Sequence, residues 1–438
     1  MLQPLRGAIA VAAGFAATAA LAVALCAAAS HVDDRSLYTP AQYALILNHS
    51  PLGPVPPDPT DRLAGDPRAA RFGQYLFFDT GFSPNGEVSC SSCHQPARSF
   101  TDGRALAKGL GIEPRHTPTL LNAAYNHWYF WDGRTDSQWS QALQPLENPL
   151  EVGTDRLHVL HAIADDAQLR TAYTQIFGPL PPLANQARFP AHARPDPDPK
   201  SALARAWAHM TPQDRTAADR AYSNLGKAIE AYERKLVGST SPFDHYVAAL
   251  RADDVAEEDV IAPAAKRGLK IFVSTGNCEL CHAGPDFSDG QFHNIGLPLL
   301  PGEAADTGRA AGIRLVRDNP FNAAGRFSDD RSGQGAQQLE FLSPPASQLG
   351  AFKTPSLRNV AAIAPYMHDG RFATLAQVLD FYARGKAASR GRLVGVREQT
   401  TNLIPHLTAA QQSDLIAFLR TLTNAPLPAA LLHQPATP

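Results

Sequence analysis

Two identical five-residue arrangements, Cys90-Ser91-Ser92-Cys93-His94 and Cys278-Glu279-Leu280-Cys281-His282, use four of the five cysteines in the chain. In C-x-x-C-H the two thiols add across the vinyl groups of a haem, and the adjoining histidine is thereby held against one face of the iron as proximal ligand. Residue types and spacing are both dictated by the porphyrin. A pair of disulfides, or a C-x-x-C zinc or redox site, accounts for the cysteines but not for a histidine directly after the second one in both copies. The chain therefore reads as carrying two covalently bound haem c groups, one on Cys90, Cys93 and His94 and one on Cys278, Cys281 and His282.

The fifth cysteine, Cys26, lies in a segment of another kind. Arg6 supplies a positive charge, the Ala/Val/Leu run from Ala8 to Leu25 an apolar stretch, and Ala27 to Ser30 a small-residue cleavage site. Residues 1–30 are expected to be a signal peptide, leaving a periplasmic protein with no stable membrane insertion after cleavage. The alternative is an uncleaved anchor, since the apolar stretch approaches spanning length. Lipid attachment at Cys26 is disfavoured by Leu25, where a small residue is the rule.

The motifs begin at positions 90 and 278, a separation that gives each haem a domain of ordinary size. The expected organisation is an N-terminal haem domain over 31–250, with a proline-dense surface excursion at 179–199, and a C-terminal haem domain over 251–438. Apolar spacing predicts a helix over Asp66 to Phe78 before the first motif and another over Ala264 to Phe272 before the second. A third, from Ala217 to Leu236, is assigned to the core between the domains. Thr408 and Gln411 form a capping box ahead of Leu415, Phe418 and Leu419. Strand-like alternation is scarce, so the fold class is mainly α, two cytochrome c-like haem domains packed against each other with few or no strands. Lys plus Arg (39) nearly balance Asp plus Glu (41), which leaves no basic footprint for nucleic acid.

Distal ligands decide what the haems do. Beyond Met1 the chain has only Met210 and Met367, so the methionine ligation usual for electron-carrying c haems is limited to two sites at most. Met367 reads better as a packing residue than as a ligand. An iron with an open position binds peroxide or oxygen, which favours an enzyme over a carrier.

A family resemblance then becomes specific. Cys90 to His94, Phe100-Thr101-Asp102-Gly103, Thr117-Pro118-Thr119, Phe130-Trp131-Asp132-Gly133-Arg134, Gln141, Pro145 and Glu151 resemble the N-terminal half of bacterial dihaem cytochrome c peroxidases and MauG proteins. The block from Phe352 to Val360, followed by Ala364 to Gly370, is similar to the stretch after that family's second haem motif. The resemblance implies that His94 belongs to the peroxidatic haem and His282 to the electron-transfer haem. It places Glu151 and Gln141 on the distal side of the first haem, as proton carrier and as hydrogen-bonding amide for hydrogen peroxide. It places Trp131 between the haems, as a relay. From the residues alone, Glu151 and Gln141 read as surface residues and Trp131 as a core aromatic.

Departures from the family pattern matter as much. Classical members carry a histidine soon after the first motif that caps the first iron; here the stretch reads Lys108-Gly109-Leu110-Gly111. The classical methionine ligand of the second haem is replaced by Tyr382, as in MauG-like members, and a phenolate favours ferric and higher-valent iron. Family members commonly hold a calcium ion between the domains with an asparagine just before the Thr-Pro-Thr run, where His116 stands here. Histidine suits so hard a cation poorly, so a calcium ion here would be held through backbone carbonyls near Ile363 and Pro365 with water. The chain is thus expected to be an oxidoreductase that reacts with hydrogen peroxide at the first haem and stores oxidising equivalents over both, to oxidise a partner protein. The alternatives are a classical peroxidase fed by a small cytochrome c or cupredoxin, and a non-enzymatic dihaem electron carrier.

Overall fold

A computed structural model describes residues 33–238, 240–342 and 348–438. The expected signal peptide lies outside these residues. Asp66 opens the helix before the first motif, Pro67–Phe78, its carboxylate accepting the free backbone N–H groups of Arg68 and Ala69. Proline occupies the first turn, where its missing N–H costs nothing. The buried side carries Ala69, Phe72, Leu76 and Phe77. It packs on a longer helix, Pro212–Glu233, through Leu225, Ala228, Ile229 and Tyr232. All of these side chains are buried. The helix, however, starts earlier than its apolar pattern, because Thr211 caps it and Pro212 follows; the core it lies in also takes in Phe321 and Phe327 from the C-terminal half, Tyr222 meeting the Phe321 ring.

The second unit repeats the arrangement. Helix Pro263–Phe272 precedes the second motif and packs on Ala409–Arg420, which begins with the expected capping box of Thr408 and Gln411. Both crossings need a glycine. A Cβ on Gly73 would lie 1.8 Å from the Ala228 carbonyl oxygen, and one on Gly268 2.0 Å from that of Asp414. Gly73→Ala is therefore expected to cost about 1–3 kcal/mol by forcing the helices apart. Gly65→Ala, where a Cβ meets nothing within 4 Å, is the neutral control. Thermal melting of the two variants checks this.

Strand content is confined to Phe292–His293 paired antiparallel with Phe352–Lys353 among the described residues. The fold is mainly α, two cytochrome c-like haem domains in contact. No helix among the described residues is long and apolar enough to cross a membrane. The run 179–199 has neither helix nor strand, yet Leu183, Phe189 and Ala193 fasten it into the first core.

The chain ends cross over. Tyr38 and Ile46, from the segment containing helix Pro40–Asn48, are buried in the second core beside Phe243 and Tyr246. At the other end Leu427, Leu431 and Leu432 pack on the first core, where the Tyr232 hydroxyl donates to the Leu431 carbonyl at 2.6 Å. Arg358, almost fully buried, ties the second unit together. Its guanidinium donates to both carboxylate oxygens of Asp244 at 2.9 and 3.1 Å and to the Pro285 carbonyl at 2.6 Å.

Candidate active site

The two cysteine motifs adopt the same local geometry by slightly different means. Ser89 starts a single helical turn, Cys90–Cys93, with its backbone N–H donating to the Ser92 hydroxyl at 3.0 Å. Asn277, in left-handed backbone, starts a 3-10 turn at Cys278–Leu280. In each, the histidine N–H donates to the carbonyl of the first cysteine at 2.9 Å, placing the imidazole beside the thiols. All four thiols are free.

Both imidazoles are then fixed from behind. The Nδ1–H of His94 donates to the Phe100 carbonyl at 3.1 Å, and that of His282 to the Phe287 carbonyl at 2.9 Å. A carbonyl only accepts, so Nδ1 carries the proton and Nε2 is left as the ligating atom. Burial holds both rings below the ordinary histidine range, in the neutral form that binds metal. Both accepting residues have left-handed backbone, Phe100 at φ 58° and Phe287 at φ 51°. Such strain in a bulky residue persists only where surrounding structure enforces it.

Both motifs open into one cavity of about 760 Å³. Free thiols two residues apart within one turn, neutral imidazoles with Nδ1 satisfied and a largely apolar enclosure all fit haem c. The cavity wall also carries every other site residue read from the sequence: Glu151, Gln141, Trp131 and Tyr382. Gln141 stands on helix Gln138–Glu147, one turn before Pro145. Trp131 is held at both ends, its indole N–H donating to the His116 carbonyl at 2.9 Å and its own carbonyl accepting from the Lys353 N–H at 2.8 Å. Tyr382 sits on helix Leu375–Arg384, and its phenol is raised above the ordinary range by burial. Among the described residues nothing hydrogen-bonds its oxygen. Met367 lines the cavity too, whereas Met210 is buried in the first core.

Glu151 ends a turn built on Asn148, whose Nδ2 donates to Glu151 Oε1 at 2.7 Å. Enclosure, and then the charge of Glu113, push the Glu151 carboxyl up to about 7. Two acidic wall residues escaped the sequence reading. Glu113 follows the glycine stretch, and Glu233 ends helix Pro212–Glu233, where burial pushes its carboxyl up to about 7. Each lacked a pattern to mark it, since only the tertiary fold brings them to the cavity.

The stretch that lacks a capping histidine is a small hairpin closed by the Lys108–Ile112 bridge. It is fastened to the Glu151 turn, Leu110 N–H donating to the Glu151 carbonyl at 3.0 Å and Gly111 N–H to that of Leu150 at 2.9 Å. A Cβ on Gly109 would lie 2.6 Å from the Glu151 backbone, so only glycine permits that approach.

Residues 67–252 match a family model described as di-haem cytochrome c peroxidase. The chain is 31% identical over 407 residues to the methylamine utilization protein MauG of Paracoccus denitrificans, covering 82% of this chain and 89% of that one. It is 30% identical over 370 residues to the cytochrome-c peroxidase IdrP2 of Denitromonas iodatirespirans, covering 83% and 84%. Among solved structures, the diheme peroxidase BthA of Burkholderia thailandensis superposes with a TM-score of 0.59 at 25% identity, over 85% of this chain and 91% of that one.

Proposed function

The chain belongs to the di-haem cytochrome c peroxidase and MauG family, and from that footing we propose that it uses hydrogen peroxide to oxidise a partner protein in the periplasm. One observation carries the reading. A single enclosure joins both cysteine motifs, with a carboxyl poised near neutrality and an amide by one, a phenol by the other and an indole on the same wall.

His94 would hold the first haem iron, and His282 with Tyr382 the second. Bound there, haem supplies the redox-active iron that splits the peroxide oxygen-oxygen bond and takes electrons from the partner. Glu151 accepts a proton from the incoming peroxide and returns it to the departing oxygen, which a carboxyl near neutrality does best. Gln141 orients the peroxide by hydrogen bonding. Trp131, immobilised through His116 and Lys353, offers an aromatic stepping stone within the shared cavity. The pinned hairpin at 108–112 leaves the space beside Glu151 to the substrate.

Calcium has no part in this reading. His116 is buried with Nδ1 2.7 Å from the Arg104 carbonyl, and the Ile363 carbonyl also faces its ring. The imidazole thus occupies carbonyl oxygens that a hard cation would need.

Protein oxidation is favoured over detoxification by Tyr382 in place of a methionine and by the absence of a capping histidine in the hairpin. The test is to add one equivalent of hydrogen peroxide to the fully ferric protein. Absorption changes at both haems without prior reduction are expected, followed by only slow oxidation of reduced small cytochrome c. Fast turnover with that cytochrome would establish the detoxifying peroxidase instead. No reaction with peroxide or cyanide would leave an electron carrier.

A further inference from the structure

We propose that Glu113, joined to Glu151 through the side-chain amide of Asn148, is a positioning residue that makes the two carboxyls a proton-sharing pair on the peroxide side of the cavity. The inference rests on the assignment of Glu151 as the proton carrier.

The geometry is explicit. Asn148 Nδ2 donates one hydrogen to Glu151 Oε1 at 2.7 Å and the other to Glu113 Oε1 at 2.8 Å. The amide cannot be the other way round, because its Oδ1 accepts the Leu150 N–H at 3.0 Å. One nitrogen therefore bridges the two carboxyls and keeps their oxygens close.

Glu113 reaches that place through the hairpin. Its N–H donates to the Ala107 carbonyl at 2.9 Å, and Ala107 N–H donates to that of Arg115 at 2.9 Å, closing the segment around Gly109 and Gly111. The same hairpin is hydrogen-bonded to the Glu151 turn. A segment that holds no capping imidazole thus delivers a carboxylate, and fixes both partners relative to each other by backbone contacts.

Two carboxyls so placed resist being ionised together. The groups facing Glu151 are Glu113, which disfavours its charge, and Arg134 and the Asn148 amide, which favour it; the Cys90 and Cys93 sulfurs are near as well. Burial and Glu113 outweigh the other two. Glu113 is half-buried and Glu151 faces the cavity, so the pair spans the wall between enclosed space and solvent. A proton taken up by Glu151 is held by a neighbour's charge, and can be exchanged from the outer side once the departing oxygen has been protonated.

The test compares the holoprotein with Glu113→Gln and Asn148→Asp. The readout is the infrared carboxyl band assigned to Glu151 by its loss in Glu151→Gln, followed against pH in the ferric protein. Glu113→Gln retains an oxygen for the Asn148 amide and removes the charge, so the midpoint should fall by about one pH unit. Asn148→Asp adds a carboxylate and removes the donor, so the midpoint should rise by about as much. An unmoved midpoint in Glu113→Gln, or shifts of the same sign in both variants, overturns the proposal. If Asn148→Asp fails to bind haem, Glu113→Gln alone decides. A Glu151→Gln protein that keeps its full peroxide rate would instead overturn the assignment of Glu151 itself.

Discussion

Glu151→Gln should slow the reaction with hydrogen peroxide by about 10²–10⁴-fold, the range spanned by positioned general acid–base groups. The amide keeps an oxygen to accept from Asn148 Nδ2, so the turn and the hairpin fastened to it should stand, and haem absorption and melting temperature should match those of the parent. What is lost is only the ability to carry a proton. The pH dependence follows with a definite sign. The ionised carboxyl is the form that takes the peroxide proton, and burial with the charge of Glu113 places the midpoint at about 7. The parent rate should therefore climb as pH rises through about 7 and level off above it, while the variant profile should be flat there. Stopped-flow mixing of the ferric proteins with peroxide between pH 5 and 9 decides the matter. A variant with the parent's rate would remove Glu151 from the chemistry.

Arg358→Ala should destabilise the protein by about 3–5 kcal/mol, the cost of leaving one member of a buried ion pair without its partner. The side chains of Arg358 and Asp244 are only 1% and 5% exposed. The loss is compounded because the same guanidinium satisfies the Pro285 carbonyl, beside the second motif's loop, and the His49 carbonyl at 3.3 Å. Burial alone would raise the Asp244 carboxyl, but Arg358, Ser50 and the Ser241 N–H hold it down to about 2. A carboxyl lowered on folding contributes stability above its unfolded value, and that contribution disappears as pH falls from about 4 toward 2. Denaturant titrations at pH 7 and pH 3 should accordingly show the gap between parent and variant narrowing in acid. An equal gap at both would mean that the pair contributes through packing rather than charge.

How far the sequence could be read depended on whether the relevant relation was local. The haem attachments were legible because Cys90, Cys93 and His94 are constrained within one turn, and the same holds for Cys278, Cys281 and His282. The helices before each motif announced themselves by apolar spacing, and Thr408 with Gln411 marked a helix start three residues apart. Helix Pro212–Glu233 was misjudged at its beginning because its first turns are polar and only Thr211-Pro212 marks the start. Family resemblance, not spacing, singled out Glu151, Gln141, Trp131 and Tyr382, and the fold lines one cavity with them. It gave no hint of Glu113 or Asn148. Their meaning lies in one amide bridging two turns, a relation that exists only after the hairpin has closed against residues 150 and 151.

The crossing of the chain ends has a consequence for dissection. A single cut in the connector near residue 240 would not yield two independent haem modules. The leading fragment would leave with Tyr38 and Ile46, stripping the trailing module of its own hydrophobic filling, while the trailing fragment would carry off Leu427, Leu431 and Leu432. Each piece would bear an orphaned strap and a matching bare groove. Topologically the molecule is closer to a clasped bracelet than to two beads on a string, and its halves are obliged to mature together.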